Sequence, residues 1–248
     1  LVGLWRFEKT HKDPFFDASL FKVKNYSAVL WIRVLCQYVG FALLFMLPLY
    51  LQGPLNYSSL DAGLWMMLVM LCFGALSAFS GRYLLPRYGA KAMINFGTLL
   101  FFVSCIAFVG ETHFAGDLFL TIGLLALGLG FGLQVTTTTT LALSSVPHKK
   151  MGSASGLYFS IAMLGSTVAV AVSGSILNGV SSSVLKHLLS GIQFGKQAQA
   201  YLTSTAQGLH PLSALNDFFA PPWGSKLTVF TYEAFVTGFI VVMAVNLL

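Results

Sequence analysis

Six long apolar stretches constrain this chain more than any other feature of its sequence. A helix that crosses the roughly 30 Å hydrocarbon core of a bilayer needs about 20 mostly apolar residues, because lipid cannot pair an open backbone amide. The stretches cover residues 26–51, 60–79, 92–109, 118–143, 153–180 and 228–248. The sequence therefore predicts an all-α integral membrane protein with six transmembrane helices.

Composition excludes the main soluble classes. Hydrophobic residues make up 56% of the 248 residues and charged residues 9%, whereas an ordinary soluble domain has about 25% charged residues. The net charge of +6 could suggest nucleic acid, but the basic residues sit in short segments beside apolar runs rather than on one folded face. We therefore expect membrane lipid, and no nucleic acid, as a partner.

The distribution of Lys and Arg predicts the orientation. Ten of the fourteen lie in residues 1–25 or in the loops after the second and fourth stretches, and basic residues near helix ends are retained on the cytoplasmic side. This predicts a multi-pass protein of the cytoplasmic (inner) membrane, with a cytoplasmic leader at 1–25 and five transmembrane helices over 26–180. An extracytoplasmic loop is then expected at 181–227, and a truncated sixth helix at 228–248.

The loop at 181–227 has two interpretations, a helix lying on the membrane surface around 184–202 or a solvated loop. The chain starts without Met and stops inside an apolar run. We therefore expect a fragment of a longer protein, with residues 1–25 following a preceding helix.

Polar residues inside the stretches predict a cavity wall, because burying a polar group in lipid has a high free-energy cost unless the group is paired or hydrated. Arg33 lies about 10 Å along the first stretch, and Gln37 follows one turn later. Arg33 could bind an anionic substrate or a carboxylate elsewhere in the protein, or it could snorkel to the cytoplasmic headgroups. In the fourth stretch, Gln134, Thr137 and Thr138 share one helix face and are expected to line part of a cavity.

Small residues recur along the fifth stretch. Gly152, Gly156 and Gly165 belong to a strip of the kind that lets transmembrane helices approach closely. We expect helix packing there rather than substrate contact.

Aromatic residues are frequent, with 22 Phe, 9 Tyr and 4 Trp. Some of them could form an apolar pocket for hydrophobic or cationic compounds, while others are ordinary lipid-facing residues and interface anchors. The pocket candidates are Phe41, Phe45, Trp65, Tyr158 and Phe159.

The sequence gives no sign of an enzyme. The five histidines lie in loops or the leader with no metal-ligand pair at helical spacing, so no metal site is predicted. A Gly-rich loop followed by Lys-Ser or Lys-Thr, which would bind nucleotide phosphates, is also missing. We expect no cofactor, and a gradient-driven carrier fits better than an ATP-driven one.

Several ordered motifs resemble the carboxy-terminal half of a major facilitator superfamily transporter, from the fourteen-helix drug:proton antiporter branch (EmrB/QacA type). The motifs are LPLYLQ at 47–52, DAG at 61–63, GRYLLPRYGAK at 81–91, GLG at 128–130, SVP at 145–147 and GSASGL at 152–157. The resemblance implies that the six stretches match helices nine to fourteen of the family. It also implies inverted three-helix repeats, a substrate path facing the missing amino-terminal half, and alternating access.

The loop at 81–91 resembles the family's cytoplasmic basic motif. Gly81 and Gly89 allow tight turns, and Arg87 and Lys91 can hold the ends of neighbouring helices through carbonyls or acidic partners. The resemblance implies a gating latch between helix bundles, whereas the plainer interpretation is a charged loop that only sets topology. The residues of the motif are Gly81, Arg82, Arg87, Gly89 and Lys91.

The leading functional hypothesis is secondary active transport, in which proton entry drives efflux of small amphipathic compounds or drugs. The partners are then a small-molecule substrate, protons, the amino-terminal half of the same protein and a periplasmic adaptor. The resemblance implies that the proton-carrying carboxylates lie in that amino-terminal half. Two alternatives stay open: a carrier of one metabolite, such as a siderophore or fatty acid, and a non-transporting membrane scaffold subunit.

Overall fold

The computed structural model describes residues 18–114, 117–190, 194–219 and 223–247, which are largely helical. Most of the predicted leader, residues 1–17, lies outside the described residues. Short 3₁₀ turns occupy Ala18–Lys22 and His148–Lys150, and a π-helical turn at Ser80–Leu84 joins the second helix to the third. The helices are α1 (Lys24–Gln52), α2 (Ser59–Phe79), α3 (Leu85–His113), α4 (Asp117–Ser144), α5 (Met151–Leu188), α6 (Lys196–Ala206), α7 (Ala214–Phe218) and α8 (Trp223–Leu247).

Five helical stretches in the described part of the chain are long and apolar enough to cross a membrane. One of them, Ser59–His113, has 55 residues, or about 80 Å at 1.5 Å per residue, which far exceeds a single crossing. Its helical geometry is interrupted at Gly89, which has φ 77° and ψ 161°. Glycine adopts a positive φ without the steric cost that a Cβ would add. The stretch therefore consists of two arms that meet at Gly89.

The two arms run in opposite directions along α4. Contacts between α2 and α4 advance together along both helices, so these two helices are parallel. Contacts between α3 and α4 advance in opposite directions, so these helices are antiparallel. The neighbouring pairs are Val69 with Gly128 and Ser77 with Thr136 for α2, and Ile94 with Gln134 and Ser104 with Gly123 for α3. The chain thus reverses at Gly89, and the 55-residue stretch supplies two of the six predicted crossings.

The six long helices pair crosswise, as two three-helix repeats would. Helix α1 packs along α5, and α4 packs along α2. The α1–α5 pair is parallel, because Tyr26 contacts Ala154 near the start of both helices and Phe45 lies nearest Gly174 farther along. Helices α1 and α4 are antiparallel and meet where the ring of Phe131 lies against Gly40. The first helix of each repeat therefore lies beside the middle helix of the other.

Charge is distributed unequally between the two ends of this bundle. One end, where α1, α3 and α5 begin, carries seven of the eleven described basic residues: Lys22, Lys24, Arg82, Arg87, Lys91, Lys149 and Lys150. Three described lysines, Lys186, Lys196 and Lys226, lie toward the opposite end, and Arg33 lies inside the bundle. The described acidic residues all lie in the opposite half; they are Asp61, Glu111, Asp117, Asp217 and Glu233. The three basic segments that the sequence assigned to one side of the membrane thus share one end of the bundle, as far as they are described.

The segment after α5 is helical and packs on protein. Helix α5 continues to Leu188, so the first residues of the predicted loop at 181–227 belong to this helix. Leu202 on α6 and Leu215 on α7 are buried in a small core together with Leu185 and Leu227. The backbone N–H of Leu212 also donates to the carbonyl of Gly53 at 3.3 Å. This segment therefore covers the ends of α1, α5 and α8, because its apolar side chains find partners there.

Candidate functional site

Arg33 is buried in the bundle, although it lies only about two and a half turns from the start of α1. It is 5% exposed, and its Nε and Nη1 atoms are buried without a hydrogen-bond partner. Its guanidinium carbon lies 5.3 Å from the centre of the Tyr158 ring on α5, a distance at which a cation is attracted to the ring face. The side chain therefore points into protein in this structure rather than out to the bundle end.

Gln37 lies one turn beyond Arg33 on the same side of α1, because residues four apart share a helix face. It is 3% exposed, and its Oε1 atom has no hydrogen-bond partner. Its Cβ lies close to Gly165, where an added methyl group would come within 2.9 Å of the Val34 carbonyl oxygen. The close approach of α5 at Gly165 therefore brings α5 against the two polar residues of α1.

Tyr158 joins α1 to α4. The ring is fully buried beneath Arg33, and its hydroxyl lies 2.8 Å from the Thr138 hydroxyl and 3.0 Å from the Thr139 hydroxyl. Arg33 and Thr138, both singled out by the sequence, thus share one neighbour. We call Arg33, Gln37, Thr138 and Tyr158 the α1–α4–α5 node.

Most hydroxyl groups of the threonine run on α4 donate hydrogen bonds to backbone carbonyls of the same helix. The hydroxyls of Thr138, Thr139 and Thr140 donate to carbonyls four residues earlier, at 2.6, 2.7 and 2.9 Å. Such back-bonding lets hydroxyl side chains sit in an apolar helix. Thr137 differs, because its buried Oγ1 has no partner.

Gln134 is turned away from the node toward α3. Its Nε2 atom donates to the Ile94 carbonyl at 2.9 Å and to the Thr98 hydroxyl at 2.8 Å, while its buried Oε1 has no partner. The shared helix face predicted for Gln134 and Thr138 is real, but their side chains bind different neighbours. Gln134 therefore cross-links α4 to α3 and does not contact Tyr158.

The basic loop lies exposed at the end of the bundle that carries seven of the described basic residues. The Arg82 and Arg87 guanidinium groups stack on the following tyrosine rings, at 5.4 and 5.5 Å, and Lys91 is exposed. Gly89 makes the predicted turn. Gly81 does not, because it lies in the π-helical turn that continues α2; an added methyl group there would be 3.2 Å from the Thr136 methyl group.

The predicted packing glycines of α5 differ from one another. Gly165 makes the close contact with α1 described above. Gly152 is exposed and faces open space in the described chain, so its part in helix packing stays a prediction. Its place in the first turn of α5 puts it at the bundle end, beyond the contact with α1. Gly156 is half-buried.

Among the buried polar residues that the sequence analysis missed, Tyr158 and Glu111 were missed in different ways. The sequence analysis considered Tyr158 only as a residue that could line an apolar pocket. In the structure it is fully buried and hydrogen-bonded, whereas the adjacent Phe159 is 50% exposed. Glu111 was not considered. An acidic residue in the last turn of a helix opposes the helix dipole, and that mismatch is the signal that could have found it.

Glu111 acts as a cap for the following helix. Its buried carboxylate accepts a hydrogen bond from the Leu120 backbone N–H in the first turn of α4 at 3.2 Å, where a negative charge is favourable. Nearby, the Tyr57 hydroxyl lies 3.4 Å from Asp117. Burial and the Asp117 carboxylate raise the pKa of the Tyr57 phenol. Glu111 thus ties the end of α3 to the first turn of α4, and Asp117 ties the start of α4 to the segment between α1 and α2.

The fold is that of a multi-pass, all-α membrane protein. The sequence of residues 3–170 matches the model of the Major Facilitator Superfamily, which covers more than half of the 248 residues. The chain belongs to the Major Facilitator Superfamily.

Named relatives match most of this chain. Multidrug resistance protein Stp of Mycobacterium tuberculosis is 28% identical over 181 residues, which cover 72% of this chain and 33% of that protein. Quinolone resistance protein NorB of Staphylococcus aureus is 31% identical over 185 residues, covering 71% of this chain and 38% of that protein. An MFS-type transporter of Bacillus subtilis, YwoD, is 29% identical over 202 residues, covering 79% of this chain and 40% of that protein. The matched regions thus span between a third and two fifths of these relatives.

Proposed function

We propose that this chain is the carboxy-terminal half of a fourteen-helix drug:proton antiporter, which exports small amphipathic compounds across the cytoplasmic membrane. The observation that carries the proposal is the similarity of most of the chain to proteins named for multidrug and quinolone resistance. The crosswise pairing of α1 with α5 and of α2 with α4 supports it, because inverted repeats are the framework of alternating access. A carrier of this kind moves its substrate without a covalent step, so we propose no enzymatic activity.

The substrate path runs beside α1 and α4, where the polar side chains are buried inside the bundle. Arg33, Gln37, Thr137 and Thr138 supply the polar groups of this path, and unpaired buried polar atoms on Arg33, Gln37 and Thr137 support this assignment. Gln134 acts as a support that ties α4 to α3. Protons are carried by residues of the amino-terminal half, and a periplasmic adaptor can receive the exported compound.

The bundle end where α1, α3 and α5 begin faces the cytoplasm. Seven described Lys and Arg residues share that end against three lysines at the other, and the described acidic residues lie in the opposite half, which fits the retention of basic residues inside the cell. Helices α6 and α7 then cover the outer end of the bundle.

The exposed arginines of the basic loop latch this half to the other in one transport state. Arg87→Ala should abolish transport while the amount of protein inserted in the membrane stays normal. His148→Ala, at the neighbouring exposed turn of the same end, is the matched control and should transport normally. Unchanged transport by Arg87→Ala would remove the latch.

Inside-out vesicles from cells that express the full-length protein test the main proposal. An imposed proton gradient should drive accumulation of ethidium above that of vesicles without the protein, and a protonophore should abolish the difference. Accumulation that persists after collapse of the gradient would contradict antiport. Absence of any accumulation of ethidium and of norfloxacin would contradict drug transport as such.

A further inference from the structure

The strongest unexplained group in the described chain is the guanidinium of Arg33. A buried charge costs several kcal/mol in a membrane protein unless it is paired or wet. Nε and Nη1 are buried and bond to nothing, and the described acidic residues all lie in the opposite half of the bundle. The Tyr158 ring attracts the cation but carries no net charge that could balance it. The described part of the chain thus holds a positive charge at this place without supplying its counter-charge.

The surroundings of Arg33 are shaped to hold the guanidinium in place. Tyr158 supports its face at 5.3 Å, and Tyr158 is itself fixed by the hydroxyls of Thr138 and Thr139. Gly165 allows α5 to close against α1 beside Gln37. A guanidinium held in one plane presents two parallel N–H groups, which match the two oxygens of a carboxylate.

We infer that Arg33 is the anchor of a carboxylate-binding site at the α1–α4–α5 node. Gln37, one turn along the same face, supplies a second polar group beside the carboxylate. The inference deepens the proposed function and rests on it, because it names a substrate class, compounds with a free carboxylate. The same chemistry has a second source, an acidic side chain of the protein itself outside the described residues, and the experiment separates the two.

The test uses three probes in inside-out vesicles containing the full-length protein: norfloxacin, which has a free carboxylate, its methyl ester, which does not, and ethidium, a permanent cation. Arg33→Gln removes the charge, and Arg33→Lys keeps the charge without the planar pair of donors. Lys226→Gln is the control, because Lys226 also lies over an aromatic ring, that of Trp223 at 6.0 Å, but far from the node. Membrane content and melting temperature are measured for each variant.

If Arg33 binds the carboxylate of the substrate, we expect Arg33→Gln to lower norfloxacin transport by at least about tenfold. This is the loss expected when one charge-assisted hydrogen bond is removed. Transport of the ester and of ethidium should stay within about twofold of wild type. Arg33→Lys should recover part of the norfloxacin transport. Lys226→Gln should match wild type for all three probes.

If Arg33 instead binds an acidic side chain of the protein itself, Arg33→Gln should lower transport of all three probes by the same factor. The melting temperature should then be retained, and Arg33→Lys should keep part of the activity. Equal transport of the three probes at wild-type rates by Arg33→Gln would overturn the inference. Where Arg33→Gln is not recovered folded, Arg33→Met, which leaves no polar group to bury, is measured in its place. If neither variant folds, Arg33 is a structural group and the inference is also overturned.

Failure of the inference is distinct from failure of the proposed function. A wild-type protein that carries none of the three probes would contradict the proposed function. A wild-type protein that carries them, with variants at Arg33 that carry them equally, would contradict the carboxylate site alone.

Discussion

Two polar contacts between helices are satisfied to very different degrees in this bundle. Between α3 and α4, Ser104 donates to the Gly123 carbonyl at 2.8 Å, and the Gln134 amide nitrogen has two acceptors, so that only Gln134 Oε1 lacks a partner in these two side chains. At the α1–α4–α5 node, Arg33 and Gln37 keep buried polar atoms without partners. Polar groups that bond across helices hold a membrane protein together, whereas unsatisfied buried groups call for an explanation. The α3–α4 contact therefore stabilises the fold, whereas the node keeps polar groups that are available to bind a ligand.

The largest expected effect concerns how closely the helices approach at the node. Gly165→Leu would place side-chain atoms against the Val34 carbonyl oxygen, which already lies 2.9 Å from the position of an added methyl group. We expect a destabilisation of roughly 2 kcal/mol or more, seen as loss of monodisperse protein in detergent. Gly152→Leu, in open space, is the control. A Gly165→Leu variant as stable as wild type would show that α1 and α5 do not meet as described.

An intermediate effect is expected at Tyr158, where the ring and the hydroxyl can be separated. Tyr158→Phe keeps the ring beneath Arg33 but removes the bonds to Thr138 and Thr139, so norfloxacin transport should fall by about threefold, the size of a modest hydrogen bond. Tyr158→Leu should cause a larger fall because it removes the ring as well. Phe159→Leu, at the exposed neighbour, should transport normally. Equal transport by Tyr158→Phe and Tyr158→Leu would contradict a role of the ring.

The smallest effect is expected at the satisfied contact. Ser104→Ala removes one bond between α3 and α4, and the expected loss of stability is about 0.6 kcal/mol, the mean found for such bonds in membranes. Thermal unfolding of purified protein measures this loss, with Ser144→Ala at an exposed position of α4 as the control. Transport of all three probes should fall equally or not at all. A selective loss of norfloxacin transport would show that the two contacts do not differ in function.

The sequence predicted the helices well because hydropathy and length report burial in lipid directly. It also predicted the turn at Gly89, where a residue without a Cβ is needed, and the shared end of the three basic segments, which follows from the distribution of charge alone. Helix ends were less predictable: α5 continues to Leu188 because its last turns pack on α6 and α8, which hydropathy does not sense.

The composition of the node could be predicted only in part. Arg33, Gln37 and Thr138 stand out as polar residues in apolar runs, but their common neighbour Tyr158 does not, because tyrosine is also an ordinary residue of membrane helices. Gln134 shares a helix face with Thr138, yet it binds α3, since the choice of neighbour depends on how three helices pack. Gly152 fits the small-residue spacing and still faces open space.

Cysteine labelling tests most directly whether the node belongs to a substrate path. In a background where Cys36, Cys72 and Cys105 are replaced by Ser, Gln37→Cys is compared with Ser104→Cys, which is fully buried at the satisfied contact between α3 and α4. During transport, a small hydrophilic thiol reagent should modify Gln37→Cys, norfloxacin should slow that modification, and Ser104→Cys should react much more slowly. Equal rates at the two positions, or a rate at Gln37→Cys that substrate does not change, would contradict the account.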